Sequence, residues 1–221
     1  MTMARPTPAS RTTLRVLRFD RVQRGAHWAN ALLFAILILT AIPLYFGSFF
    51  GVVLERHTVQ EVHLWSGLAL PLPLIVSVIG PWGRRMRRDV TRFNYWTRDE
   101  VRWLRTLGRS ELEAEKFNPG QKLNAIFVAA SIAVMLVTGA MLQWFHFFPV
   151  SLRVGATFVH DVFSFALTLV IVGHIYMALT RGTLRSMIDG TVSDDWVKRH
   201  APQWLPVTDT EHTPPRQPPL S

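Results

Sequence analysis

The chain has 221 residues, is 49% hydrophobic, carries a formal charge of +9 and contains no cysteine. That length suits one compact domain with tails, and the pairing of apolar bulk with net positive charge points to apolar segments alternating with basic ones. The lack of cysteine excludes disulfides, iron–sulfur clusters on this chain, thiolate zinc sites and covalent C-x-x-C-H haem attachment, so any bound metal must lean on histidine; the arginines flank apolar stretches instead of interleaving with a soluble aromatic platform, which argues against a nucleic-acid partner.

Residues 1–25 hold six arginines and no apolar core. They predict a cytoplasmic N-terminal segment without a secretory signal. Crossing about 30 Å of hydrocarbon takes roughly 20 helical residues, and four apolar windows satisfy this, at about 27–50, 63–82, 123–145 and 154–180. The expected fold is all-α integral membrane, a four-transmembrane-helix bundle over residues 26–182. Pro43, Pro71 and Pro73 fall inside windows, where each removes a backbone donor and should kink its helix. Trp28, Trp65, Trp82 and Trp144 lie near window ends, as an interfacial belt requires. The segment 83–121 opens with Arg84, Arg85, Arg87 and Arg88 and reads as a solvated or lipid-facing basic loop with one helical stretch around 99–107. Residues 183–205 form a C-terminal segment, and the proline-rich residues 206–221 are expected to be disordered. Six of the lysines and arginines precede the first window, eleven lie from Arg84 to Lys122, five follow the fourth window, and only Arg56 and Arg153 remain. The positive-inside rule then puts both termini and the central loop in the cytoplasm, with two short outer loops.

Histidine is costly inside a bilayer and marks a functional hypothesis there. His57, His146, His200 and His212 lie at wet or interfacial positions. The other four fall into two levels on this topology: His27 and His174 at the cytoplasmic side, His63 and His160 at the outer side. Bis-histidine haem ligation needs imidazoles at matched depth on facing helices. His160 and His174 are 14 residues apart, which is about 40° short of four helical turns and about 21 Å of rise. Both rings therefore leave on one face of the fourth helix. A hydrogen-bonded core role is the alternative for any single one of these residues, and a haem-free anchor or histidine-based proton or metal transporter is the alternative for the set. Asp161, beside His160, can face the aqueous rim, a haem propionate network or a partner.

Four segments carry a family resemblance: RFDRVQRGAHW before the first span, KFNPGQKLN before the third, HDVFSFALTLVIVGHIYMA through the fourth and GTLRSMIDGTVSDDWVKRHAPQW after it. In order and spacing they resemble the membrane cytochrome b (gamma) subunit of respiratory formate dehydrogenase, over about residues 18–204. The resemblance implies that His27, His63, His160 and His174 ligate two b haems, paired as depth pairs them. It further implies a quinone near the cytoplasmic haem at Asn118, Gly120, Gln121 and His174. Read from the residues alone, Asn118 and Pro119 open a helix as cap and first turn, with backbone donors left for a ligand carbonyl or for nothing more than water. The implied partners are an iron–sulfur subunit and a molybdenum or tungsten catalytic subunit at the outer face. The chain itself would lack the formate site, acting as the electron-transfer and quinone-reducing subunit in the bacterial cell membrane. Related cytochromes serve hydrogenases and other molybdenum oxidoreductases, which is the alternative assignment. Asp161, at a position usually small and apolar in such proteins, departs from the pattern.

Overall fold

The computed structural model describes residues 15–47 and 55–204. A short strand β1 (Arg15–Leu17) leads into α1 (Arg21–Tyr45). Then come α2 (Arg56–Ala69), α3 (Leu72–Ile79), α4 (Arg84–Asn94), α5 (Arg98–Arg105), α6 (Pro119–Gln143), a single 3₁₀ turn (Phe145–Phe147) and α7 (Val150–Thr180). The short α8 (Leu184–Ile188), β2 (Thr191–Ser193) and α9 (Asp194–His200) follow. Among the described residues, four helices, with α2 and α3 counted as one, are long and apolar enough to cross a membrane. Their outward faces are strongly apolar: Leu39 is 66% exposed, Phe165 68% and Ile79 76%. Such a surface is unfavourable in water and at home in hydrocarbon. Between the helices lie small polar residues, with Ser66, Ser77, Ser131 and Thr138 all buried, which lets backbones approach closely. The helices pair as two hairpins, α1 with α2 and α3, and α6 with α7.

The prolines act differently from one another. α1 continues past Pro43 to Tyr45. The second span loses regular helix at Leu70 and Pro71 while Pro73 sits in the first turn of α3, and the Leu70 N–H bonds the Gly67 carbonyl at 3.3 Å in a tighter i−3 link. The helix carrying His63 begins at Arg56, seven residues before the apolar window, about 10 Å of additional rise. Hydropathy misses this turn because Arg56, His57, Thr58 and Glu61 are polar, although they continue the same helix. His63 therefore lies two turns inside its helix and not at its end.

The segment 83–121 departs most from expectation. The arginine run is helical, as α4, and a second helix α5 follows. Neither is a solvated loop: Asp89 on α4 and Glu100 on α5 are buried. Glu100 pairs with Lys122 at 2.6 Å on α6, and Asp89 pairs with Lys116 at 2.5 Å. Asp89 also accepts from the Gln23 amide at 2.6 Å.

β1 and β2 form a two-stranded antiparallel sheet with Val16 opposite Val192, so the segment before α1 and the segment after α8 lie on one side of the bundle. Gly190, with φ of +86°, leaves its carbonyl to accept from the Arg18 and Phe19 N–H groups at 2.8 and 3.0 Å. A Cβ there would meet the Phe19 carbonyl oxygen at 2.6 Å, so the turn needs glycine. The Gln203 N–H reaches the Ala114 carbonyl at 3.3 Å and the Arg18 guanidinium donates to that of Lys116 at 3.2 Å. The three segments richest in lysine and arginine thus pack into one cap, closed by a small core of Val192, Val197, Ala201 and Trp204.

Candidate functional site

His27 is placed by the start of α1. Asp20 caps the helix, accepting from the Gln23 N–H at 2.8 Å while the Gln23 side chain accepts from the Asp20 N–H at 3.1 Å, a reciprocal box that fixes the first turn. The C-terminal segment then clamps the next turn: the Trp28 indole donates to the Met187 carbonyl at 3.0 Å and Arg24 donates to that of Ile188. His27 faces His174 of α7 across the bundle, with ring centroids 6.1 Å apart and planes inclined at 59°.

His160 lies 14 residues before His174 on α7, and His63 lies on α2. The His63 and His160 rings are each held through Nδ1 by a threonine on the adjoining helix of the same hairpin. Thr40 Oγ1 of α1 is 2.8 Å from His63 Nδ1, and Thr138 Oγ1 of α6 is 2.9 Å from His160 Nδ1. Next to Thr138, a Cβ on Gly139 would stand 3.3 Å from His160 Cε1, so glycine lets α6 close on the imidazole. The sequence reading missed both threonines and Gly139.

A metal–imidazole bond of about 2 Å on either side of one ion puts two ring centroids about 6 Å apart, which is the separation of His27 and His174. Among the described residues no three histidine, aspartate or glutamate side chains converge as a metal cluster. Two imidazoles that face each other as His27 and His174 do suit a haem iron and not a closed tetrahedral ion. The residues present fit the group.

Asn118, Gly120 and Gln121 lie together at the start of α6. Asn118 Oδ1 accepts from the Gln121 N–H at 2.9 Å, and Gln121 Oε1 accepts from the Asn118 N–H at 3.0 Å. The cap is therefore built, with Pro119 in its first turn, and the two side-chain NH₂ groups are left as donors. Among the described residues no hydrogen bond links this cap to His174. Asp161 is exposed on α7. His146 sits between Phe145 and Phe147 in the 3₁₀ turn, His57 is exposed at the start of α2, and His200 stacks on Trp196. His212 and the expected disordered tail lie outside the described residues.

Fold and site together define a multi-pass membrane bundle with histidines on facing helices. Residues 18–190 match the family described as prokaryotic cytochrome b561, and the chain belongs to that family. Haem b is the prosthetic group such membership implies, and a bacterial membrane is its setting. Similar proteins include the formate dehydrogenase cytochrome b556 subunit of Haemophilus influenzae, 25% identical over 199 residues that cover 86% of this chain and 82% of that one. The b556(fdo) subunit of Escherichia coli K12 is 26% identical over 203 residues, 86% of this chain and 91% of its own. The nitrate-inducible b556(Fdn) subunit of the same strain is 25% identical over 198 residues, 86% and 89% of the two chains.

Proposed function

We propose that the chain is the membrane cytochrome b subunit of a formate dehydrogenase complex, holding two b haems and carrying electrons from an iron–sulfur partner subunit to quinone. The observation that carries this reading is the facing of His27 and His174 at 6.1 Å between α1 and α7, on the helix that also bears His160. The names of the similar proteins supply the formate dehydrogenase assignment. When bound, haem iron supplies one-electron ferric–ferrous exchange. His27 with His174, and His63 with His160, would hold the two groups through their ring nitrogens. The apolar helices place those four rings within the spans long and apolar enough to cross a membrane.

In this reading the side with the basic cap is cytoplasmic, supported by the charge bias. Electrons enter at the outer level of His63 and His160 and leave past His27 and His174. Asn118 and Gln121 offer amide donors, and Gly120 offers its backbone N–H, to a quinone carbonyl; Gly120 also keeps that approach free of a side chain. Protons for quinol come from the cytoplasm. A dithionite-reduced minus oxidised spectrum of the purified protein should show b-type bands, with two haems per chain by pyridine haemochrome. A spectrum without those bands would sink the proposal and favour a haem-free anchor or transporter. Co-purification of the intact complex should bring iron–sulfur and molybdenum or tungsten subunits with formate-dependent quinone reduction; hydrogen-dependent reduction instead would reassign the partner.

A further inference from the structure

The two threonines that hold His63 and His160 make the same set of contacts. Thr40 Oγ1 lies 2.8 Å from the Ile36 carbonyl, 3.1 Å from that of Leu37 and 2.8 Å from His63 Nδ1. Thr138 Oγ1 lies 2.8 Å from the Val134 carbonyl, 3.4 Å from that of Met135 and 2.9 Å from His160 Nδ1. A hydroxyl has one hydrogen. If it pointed at the imidazole, the oxygen would face a carbonyl oxygen at 2.8 Å with no proton between them. If it points at the carbonyl, that contact becomes a hydrogen bond and the oxygen is left to accept. The only donor available is then Nδ1–H of the histidine. Both rings are thereby fixed as the Nδ1–H tautomer, with Nε2 carrying the lone pair. A hydroxyl that already donates is a better acceptor, so the ring is polarised as well as aimed.

The other two histidines differ. Among the described residues, neither the His27 nor the His174 ring has a hydrogen-bond partner, although each faces the other. A hydrogen bond accepted from the distal N–H raises the basicity of a metal-bound imidazole and is one of the levers that set haem potential. Greater donor strength favours the ferric state and lowers the potential.

We infer that Thr40 and Thr138 are positioning residues that fix the tautomer and raise the donor strength of His63 and His160, setting the haem they hold at a lower potential than the haem of His27 and His174. This rests on the reading that the four histidines hold two haems. The asymmetry then gives electrons a downhill direction from the outer level to the inner one. It belongs to the protein's own hydrogen bonds and requires no difference in the haems themselves.

The test uses the complete complex with Thr40→Val, Thr138→Val and the double substitution, each nearly isosteric, beside Thr40→Ser and Thr138→Ser. Optical redox titration should show one haem moving to higher potential in each valine variant, the double variant by about a tenfold change in its ferrous-to-ferric ratio at fixed ambient potential, about 59 mV for one electron. The ferric EPR signal of that haem alone should change its largest g value, and serine should restore both readouts. Selective loss of that one haem in the valine variants, with recovery in the serine variants, would equally support positioning. Two haems with unchanged potentials and g values in the double valine variant would overturn the inference. Fewer than two haems in the unsubstituted protein would instead defeat the ligation reading beneath it.

Discussion

Asp89 shows what a single buried charge does in the cap. It is 2% exposed and is contacted by Gln23 from α1, by Lys116 from the segment before α6 and by Arg92 one turn along α4 at 2.9 Å. Removing one member of a buried, hydrogen-bonded ion pair strands the other, at about 3–5 kcal/mol. Asp89→Ala should therefore lower the thermal unfolding midpoint in detergent sharply, and Lys116→Met/Asp89→Leu should recover much of the loss; an unchanged midpoint in Asp89→Ala would mean the cap does not hold the bundle. Burial lowers Lys116 from an ordinary value of 10.5 to about 8, with Asp89 pulling it back up. The unfolded chain keeps that proton to higher pH than the folded one, so between about pH 8 and 10.5 the unfolded state binds more protons and this group's contribution to stability increases with pH. Stability measured across that window should lose this increment in Lys116→Met. None of this was visible beforehand, because one acid within RRMRRDVTR looks like a solvated residue until Gln23 and Lys116 arrive from distant parts of the chain.

Among the helices, α6 separates a structural reading from a chemical one. Asn118 caps it in a reciprocal box with Gln121, and aspartate caps as well as asparagine. Asn118→Asp should thus leave helix content and melting unchanged while replacing an amide donor with a carboxylate. If the amide serves quinone, the apparent KM for quinone rises about tenfold; an unchanged KM would reduce the motif to a cap. Asn118→Ala should lower stability by about 1 kcal/mol as well. The four histidines were legible because imidazole stands out in an apolar window and the windows order them by depth. Thr40 and Thr138 were not, since threonine in an apolar helix commonly bonds its own backbone. Thr157, Thr168 and Thr180 do so here with no hydrogen bond to a histidine. Only the packing of neighbouring helices distinguishes the two that matter. The helical α4 escaped for a related reason: its apolar residues are few, and burial of Asp89, not a hydrophobic face, ties it down.

The assembly of the two hairpins gives the bundle an order from one side to the other. β1 pairs with β2, and Arg24 and Trp28 of α1 donate to the carbonyls of Ile188 and Met187 on either side of His27. His63 and His160 depend instead on contacts inside each hairpin, Thr40 with His63 and Thr138 with His160. Helix α1 carries His27 and, 13 residues on, Thr40, about 20 Å of rise, nearly the spacing of His174 and His160 on α7. Two helices therefore measure out the same two levels independently. If electrons enter at the outer level, the two levels should fail differently when a ligand is removed. His63→Ala should lose one haem and stop reduction of the remaining one by formate, while dithionite still reduces it. His27→Ala should also lose one haem, yet formate should still reduce the one that stays, with quinone reduction abolished. Stopped-flow absorbance at the b-type band, with formate as donor and a soluble quinone as acceptor, reads both steps in the same sample. Identical behaviour of the two variants would mean that the levels do not act in series, and retention of both haems in either variant would sink the pairing.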